Sequence, residues 1–332
     1  LLLNLYNKDR SHSMSLTLVS KNPQTPISAR YESGSQKQPS QWHAYLHLEL
    51  VMSQRGVVLK NSAHKGPLYI QKPFYPEGRD LAHLYVLHPP GGLVSGDHLS
   101  FATKQGTKAQ CLITTPGAGR VYKARSDKQL QIQSNSFTLA EGASLEWLPQ
   151  ETILYPDANT KLETQVDLAK NALFIGWEIS CFGLPASQAY FDKGSVSQTL
   201  EIRQEGEIKV REKLLINDKK RSLLTQVAGF NQQTVNALMV AGPFSIDASF
   251  ISDSPLETLI IQLQNECDYL NQINKSELNS AMASMSLCGE FLLIRYLGMS
   301  SEQAKQLFVI CWQKIRPLLL QRDACIPRIW AT

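Results

Sequence analysis

Beyond residue 97 the chain repeats one pattern four times, and few folds can absorb it: an alternating strand, a tight polar turn, then a more apolar strand. Leu99, Phe101 and Thr103 lead to Gln105-Gly106 and into residues 109–115; Leu130, Ile132, Phe137 and Leu139 lead to Glu141-Gly142 and residues 143–148. Leu162, Thr164, Val166 and Leu168 then reach Lys170-Asn171 and residues 172–179, and Leu200 and Ile202 reach Glu205-Gly206, Ile208 and Val210. Turns follow one another at roughly 29 to 36 residues, a period that fits no known repeat motif and so describes architecture. Strand alternation sends one set of side chains inward, and Gly or Asn at a turn accepts positive φ. The pattern predicts stacked antiparallel sheets built from hairpins, with one strand of each pair more deeply buried.

The flanks read differently. Residues 1–40 are rich in Ser, Gln, Asn, Lys and Pro without periodicity, which predicts a mobile extension, with Met14 a candidate start. From Trp42, the residues Ala44, Leu46, Leu48 and Leu50 alternate with His43, Tyr45, His47 and Glu49, a half-buried strand. His43 and His47 would then lie about 13 Å apart, too far to share a metal. In the tail, Ser254-Pro255-Leu256-Glu257 forms a capping box ahead of one apolar helical face: Leu256, Leu259, Ile260, Leu263, Cys267 and Leu270. Strand-like segments near 282–286 and 291–297 flank Gly289. A second helix from Ser300 should bury Ala304, Leu307, Phe308, Cys311, Trp312 and Ile315, and Pro317 should end it or bend its last turn. The expected organisation is one domain over residues 41–332, a β stack to about 253 and a mixed helical tail over 254–332.

Composition excludes several classes. The 43% hydrophobic content supplies a globular core, and 33 basic against 29 acidic residues are dispersed. Lys219-Lys220-Arg221 beside Asp218 reads as a solvated turn, so no nucleic acid is expected. Six cysteines without a Cys-x-x-Cys pair point to a reducing, cytoplasmic setting, and no apolar run approaches the roughly 20 residues of a membrane span. A phosphate loop, dinucleotide fingerprint and His-Glu-x-x-His are all missing, and Ser195 lacks the second glycine of a nucleophile elbow.

The sharpest interruption is His88-Pro89-Pro90-Gly91-Gly92-Leu-Val-Ser-Gly96-Asp97. Its prolines fix φ and its glycines allow positive φ, so it should turn sharply between strands and set His88 and Asp97 at strand ends. Asp97, Glu146 beside Trp147, and Glu178 beside Trp177 are acids in apolar surroundings. Each needs a backbone amide, an arginine such as Arg120 or Arg211, a cation or water.

That loop, Thr114-Thr115-Pro116-Gly117, Leu145-Glu-Trp-Leu-Pro-Gln-Glu-Thr-Ile-Leu154, Gly176-Trp-Glu178 and the terminal Pro327-Arg-Ile-Trp330 together resemble the urease accessory protein D family, also called H. The match runs in order from about Gly66, although Ser95 stands where the family often has glycine. The resemblance implies a mainly β, β-helix-like stack of sheets with a few C-terminal α-helices. It also implies a non-enzymatic scaffold in urease maturation that joins an F-type accessory protein and a G-type GTPase to apo-urease, with no tightly bound cofactor. An internal passage for Ni2+ in transit is implied as well. Nickel stands high in the divalent affinity order, so carboxylates and carbonyls suit a conduit better than clustered imidazoles or thiolates. Asp97, Glu178 and Glu212 are the expected lining, with His88 at the mouth. Two alternatives stand beside this: a pure docking scaffold anchored by Trp147, Trp312 and the helix faces, and a hydrolase using His88 and Asp97.

Overall fold

The computed structural model describes residues 42–245, 254–273 and 281–331. The expectations for residues 1–40 and Met14 lie outside these. Strands are numbered along the chain. Sheet one contains β1 (Trp42–Ser53), β2 (Gly56–Lys65), β5 (Asp97–Gln105), β8 (Gln131–Leu139), β11 (Asn159–Leu168), β14 (Ser195–Gln204) and β15 (Glu207–Ile216). Sheet two contains β3 (Tyr69–Ile70), β4 (Leu81–Leu87), β6 (Gln110–Thr114), β7 (Gly119–Val121), β9 (Ser144–Leu148), β10 (Thr152–Leu154), β12 (Leu173–Leu184), β13 (Ala189–Tyr190), β16 (Val235–Gly242), β17 (Met282–Cys288) and β18 (Phe291–Gly298). The protein is mainly β, as its sequence led us to expect.

Pairing within the stack departs from the hairpin expectation. The chain steps back and forth between the sheets, so β4, β6, β9 and β12 stack in parallel in sheet two, while β1, β5, β8, β11 and β14 do so in sheet one. The four predicted turns exist, and three of them are corners joining one sheet to the other. Their backbone groups bond to the neighbouring coil: Gly106 N–H donates to Leu50 O at 2.8 Å, Ala140 N–H to Gln105 O at 3.0 Å, and Ala169 N–H to Leu139 O at 2.9 Å. Satisfied from the next coil, these groups have no need of a hairpin ladder. The fourth turn, Glu205-Gly206, does form an antiparallel hairpin, β14–β15. Antiparallel pairs occupy the ends of the stack, as in β1–β2 and β12–β16.

Alternation on sheet two yields two cores. Its inner face, including Ile113, Leu145, Trp147 and Phe174, packs on sheet one; its outer face, including Leu112, Ile175, Trp177 and Met239, packs under the helices. Helix α1 (Pro255–Ile273) starts with Ser254 Oγ accepting from Glu257 N–H at 3.1 Å and buries Leu256, Leu259, Leu263, Cys267 and Leu270. Helix α2 (Ser301–Leu320) starts with Ser300 Oγ accepting from Gln303 N–H and buries the six predicted residues together with Arg316 and Leu319. Pro317 lies in its last turn, which runs on to Leu320 and ends at Gln321 in the left-handed region. No helix among the described residues is long and apolar enough to cross a membrane.

Candidate functional site

The inner face of sheet one carries two polar rows among apolar ones. Register places Gln133 beside Leu99 and Leu162, with Gln198 next to Leu162; the adjoining row runs Phe101, Asn135, Thr164, Leu200, Glu212. Opposite them, β12 presents Glu178 and Ser180, and Gly176 beside Trp147 contributes no side chain. A polar seam therefore runs between the sheets and across the strands.

Its hydrogen bonds converge on Glu178. Gln198 Nε2 donates to Glu178 Oε2 at 2.7 Å while Ser180 Oγ donates to Gln198 Oε1 at 2.9 Å. Asn135 Nδ2 donates to Thr164 Oγ1 at 3.1 Å, and the Thr164 hydroxyl bonds to Glu178. All these partners are neutral. Burial raises the Glu178 carboxyl above the usual carboxylate range, outweighing the lowering by Thr164 and Gln198. Asn135 Oδ1 is buried without a hydrogen-bond partner, a further acceptor facing the seam.

Two cavities lie along the seam. One, of ≈ 80 Å³, is bounded by Glu178, Gln198, Thr164 and Ser180. The other, of ≈ 270 Å³, is bounded by His88, Gly91, Pro116 and Arg120, and both share Thr115, Gly119, Gln133, Asn135 and Trp147. Burial holds the His88 imidazole below its usual range, with Asp97 opposing.

The remaining expected residues have other positions. Asp97 is buried, and its Oδ2 accepts from Val94 N–H at 2.9 Å, closing the turn ahead of β5; it borders neither cavity. Glu212 points inward from β15 and is paired with Arg295 of β18 at 2.6 Å, a half-exposed bridge between the sheets at the far end of the seam. In the loop, Gly91 N–H donates to His88 O at 2.8 Å beyond Pro89 and Pro90, with Gly91 at φ 72° and Gly96 at φ 87°. A Cβ on Gly92 would lie 2.6 Å from the Tyr122 ring and 2.7 Å from Arg120 O, so that position needs glycine. Ser95, buried, is used as a polar anchor: its Oγ accepts from Arg125 N–H at 2.7 Å. Thr114 faces the helices and accepts from Trp330 Nε1 at 2.9 Å, while Thr115 Oγ1 accepts from Gln150 N–H at 2.9 Å.

Trp147 and Trp312, expected at a partner surface, lie inside the fold. Trp147 is 4% exposed and packs on Phe101 and Phe137; Trp312 is 0% exposed and donates to Glu146 Oε2 at 2.6 Å. Exposed apolar side chains stand instead on α1, where Ile261, Tyr269 and Ile273 share one stripe at multiples of four residues.

A second buried polar group lies on the outer face. Glu146 is met by Arg316 Nε at 3.0 Å, rather than by Arg120 or Arg211, and Arg316 Nη2 also donates to Glu77 at 2.8 Å. His83 Nε2 lies 2.6 Å from Glu77. The signal for this partner was Arg316 itself, which stands four residues after Trp312 on the buried stripe of α2. Among the described residues, no three His, Cys, Asp or Glu side chains gather to hold a metal.

The family profile described as UreD urease accessory protein matches residues 43–331. The urease accessory protein UreD of Marinomonas sp. (strain MWYL1) is 53% identical over 293 residues, 88% of this chain and 91% of the relative. That of Psychromonas ingrahamii is 37% identical over 89% of this chain and 96% of its own length, and that of Janthinobacterium sp. (strain Marseille) is 39% identical over 81% and 85%. With its profile match spanning nearly all the described residues and relatives above 30% identity along most of its length, the chain belongs to the UreD urease accessory protein family.

Proposed function

We propose that the protein is a cytoplasmic, non-enzymatic urease maturation factor that joins an F-type accessory protein and a G-type GTPase to apo-urease, and that Ni2+ crosses it through the seam. The observation that carries the passage is Glu178, a half-buried carboxyl met by neutral donors on the wall of one cavity, whose other walls are shared with a second, wider cavity. Burial favours the neutral form of the Glu178 carboxyl, and an arriving dication competes with the proton for it. His88 supplies a single imidazole at the wider end, and Asn135 Oδ1 and Glu178 supply oxygens beyond it. Each stop offers few ligands, so each binds weakly enough to release its cargo. The apolar stripe of Ile261, Tyr269 and Ile273 takes the docking role once expected of Trp147 and Trp312.

Glu178→Gln keeps shape and hydrogen-bonding capacity while removing the ionisable oxygen. In the complete maturation complex, this variant should assemble normally by size-exclusion chromatography yet leave urease with little nickel by elemental analysis. Normal nickel content in the assembled complex refutes the passage and leaves a docking scaffold.

A further inference from the structure

The solvent-facing side of sheet one sets two imidazoles against each other. Strands β1 and β5 run parallel with His43 opposite His98, so both side chains leave the same face of the sheet, the face turned away from the seam. Their ring centroids lie 5.2 Å apart at an interplanar angle of 63°. His47, on the same strand as His43, packs instead on Tyr45 at 4.9 Å.

We propose that His43 and His98 form a surface chelate for a late first-row divalent cation, with water completing the coordination. Metal–nitrogen bonds of about 2.0–2.1 Å place each ring centroid about 3.2 Å from the ion, so two rings at tetrahedral or square angles stand about 4.5–5.2 Å apart. The observed separation fits that window. Both rings are also available. His98 Nε2 has only a long 3.5 Å contact to Ser134 Oγ, and neither ring is in an ion pair among the described residues. Two imidazoles select Zn2+, Ni2+ and Cu2+ over Mg2+ and Ca2+. With only two protein ligands, the ion remains exchangeable. This site is independent of the seam, because its geometry lies on the opposite face and its test needs no urease.

The experiment is isothermal titration of the untagged 332-residue chain with NiCl2 and, separately, ZnCl2, using MgCl2 as control. His43→Ala and His98→Ala should each weaken one Ni2+ and Zn2+ binding event on the order of tenfold or more, while His47→Ala leaves it unchanged. Mg2+ should give no heat at that site. Urea midpoints without metal establish that the variants fold, and His43 is exposed, so His43→Ala stays informative if His98→Ala does not fold. Unchanged binding in His43→Ala, or an equal loss in His47→Ala, overturns the proposal.

Discussion

Glu146 and Glu178 sit on neighbouring strands of one sheet, face opposite ways, and are solvated by opposite means. Burial is the largest influence on both and raises both carboxyls. Glu146 looks toward the helices and receives a guanidinium and an indole N–H, and its arginine also serves Glu77. Glu178 looks into the seam and receives only an amide and a hydroxyl. The compensated acid ties α2 to the sheet; the uncompensated one retains a site for a proton or a cation. The test with the largest expected effect breaks the first arrangement. Arg316→Met leaves Glu146 and Glu77 buried without their cation and should lower unfolding free energy by about 3–5 kcal/mol in urea. Replacing Glu77, Glu146 and Arg316 together by apolar residues of similar volume should restore most of that loss, because no charge is then left buried. A single variant as stable as the parent shows that the cluster does not hold the helix.

The second acid gives a smaller effect with a defined pH signature. A carboxyl whose folded-state pKa is raised binds more protons folded than unfolded, so its contribution to stability is present below the unfolded value and is lost as pH rises through the folded one. Glu178→Gln removes that dependence. Relative to the parent, the variant should gain stability, on the order of 1 kcal/mol, as pH is raised from about 4 to 7. A pH-independent difference between the two proteins shows that Glu178 is ionised and compensated in the fold.

The same contrast explains what could be read before the fold was known. Helix faces were legible because 3.6-residue periodicity is local: the five buried α1 positions and six of α2 follow from spacing alone. Strand alternation was legible for the same reason, down to which of residues 99, 101 and 103 point inward. Parallel pairing was not, because a polar Gly turn closes a hairpin or rounds a corner equally well. The choice is made by the next coil, 29 to 36 residues away, when it offers partners such as Gln105 O to Ala140 N–H. Glu178 and His88 could be named as lining residues from a family resemblance, yet the place of Gln133, Asn135, Thr164 and Gln198 in the seam was not legible: polar residues at inward positions look like ordinary strand polarity until register aligns them. The burial of Trp147 and Trp312 was not legible, because a tryptophan's exposure depends on which face of its element is covered.

Asp97 provides the smallest effect and the finest test of the comparison. Its Oδ2 accepts one backbone N–H, from Val94, and Asp97 N–H donates back to Val94 O at 3.0 Å, so the carboxylate closes a turn in the manner of a helix cap. Losing that acceptor costs about 1 kcal/mol, whereas an amide oxygen can replace it at a few tenths. Asp97→Ala should therefore lower stability by about 1 kcal/mol, and Asp97→Asn by less than half as much. If Asp97 acts through the loop, Asp97→Asn should load urease with nickel as the parent does, while Glu178→Gln in the same assembled complex does not. A loss of nickel loading in Asp97→Asn with an unchanged urea midpoint would instead require the charge itself. The path would then pass the strand end at Asp97 before reaching His88, and both acids would belong to it.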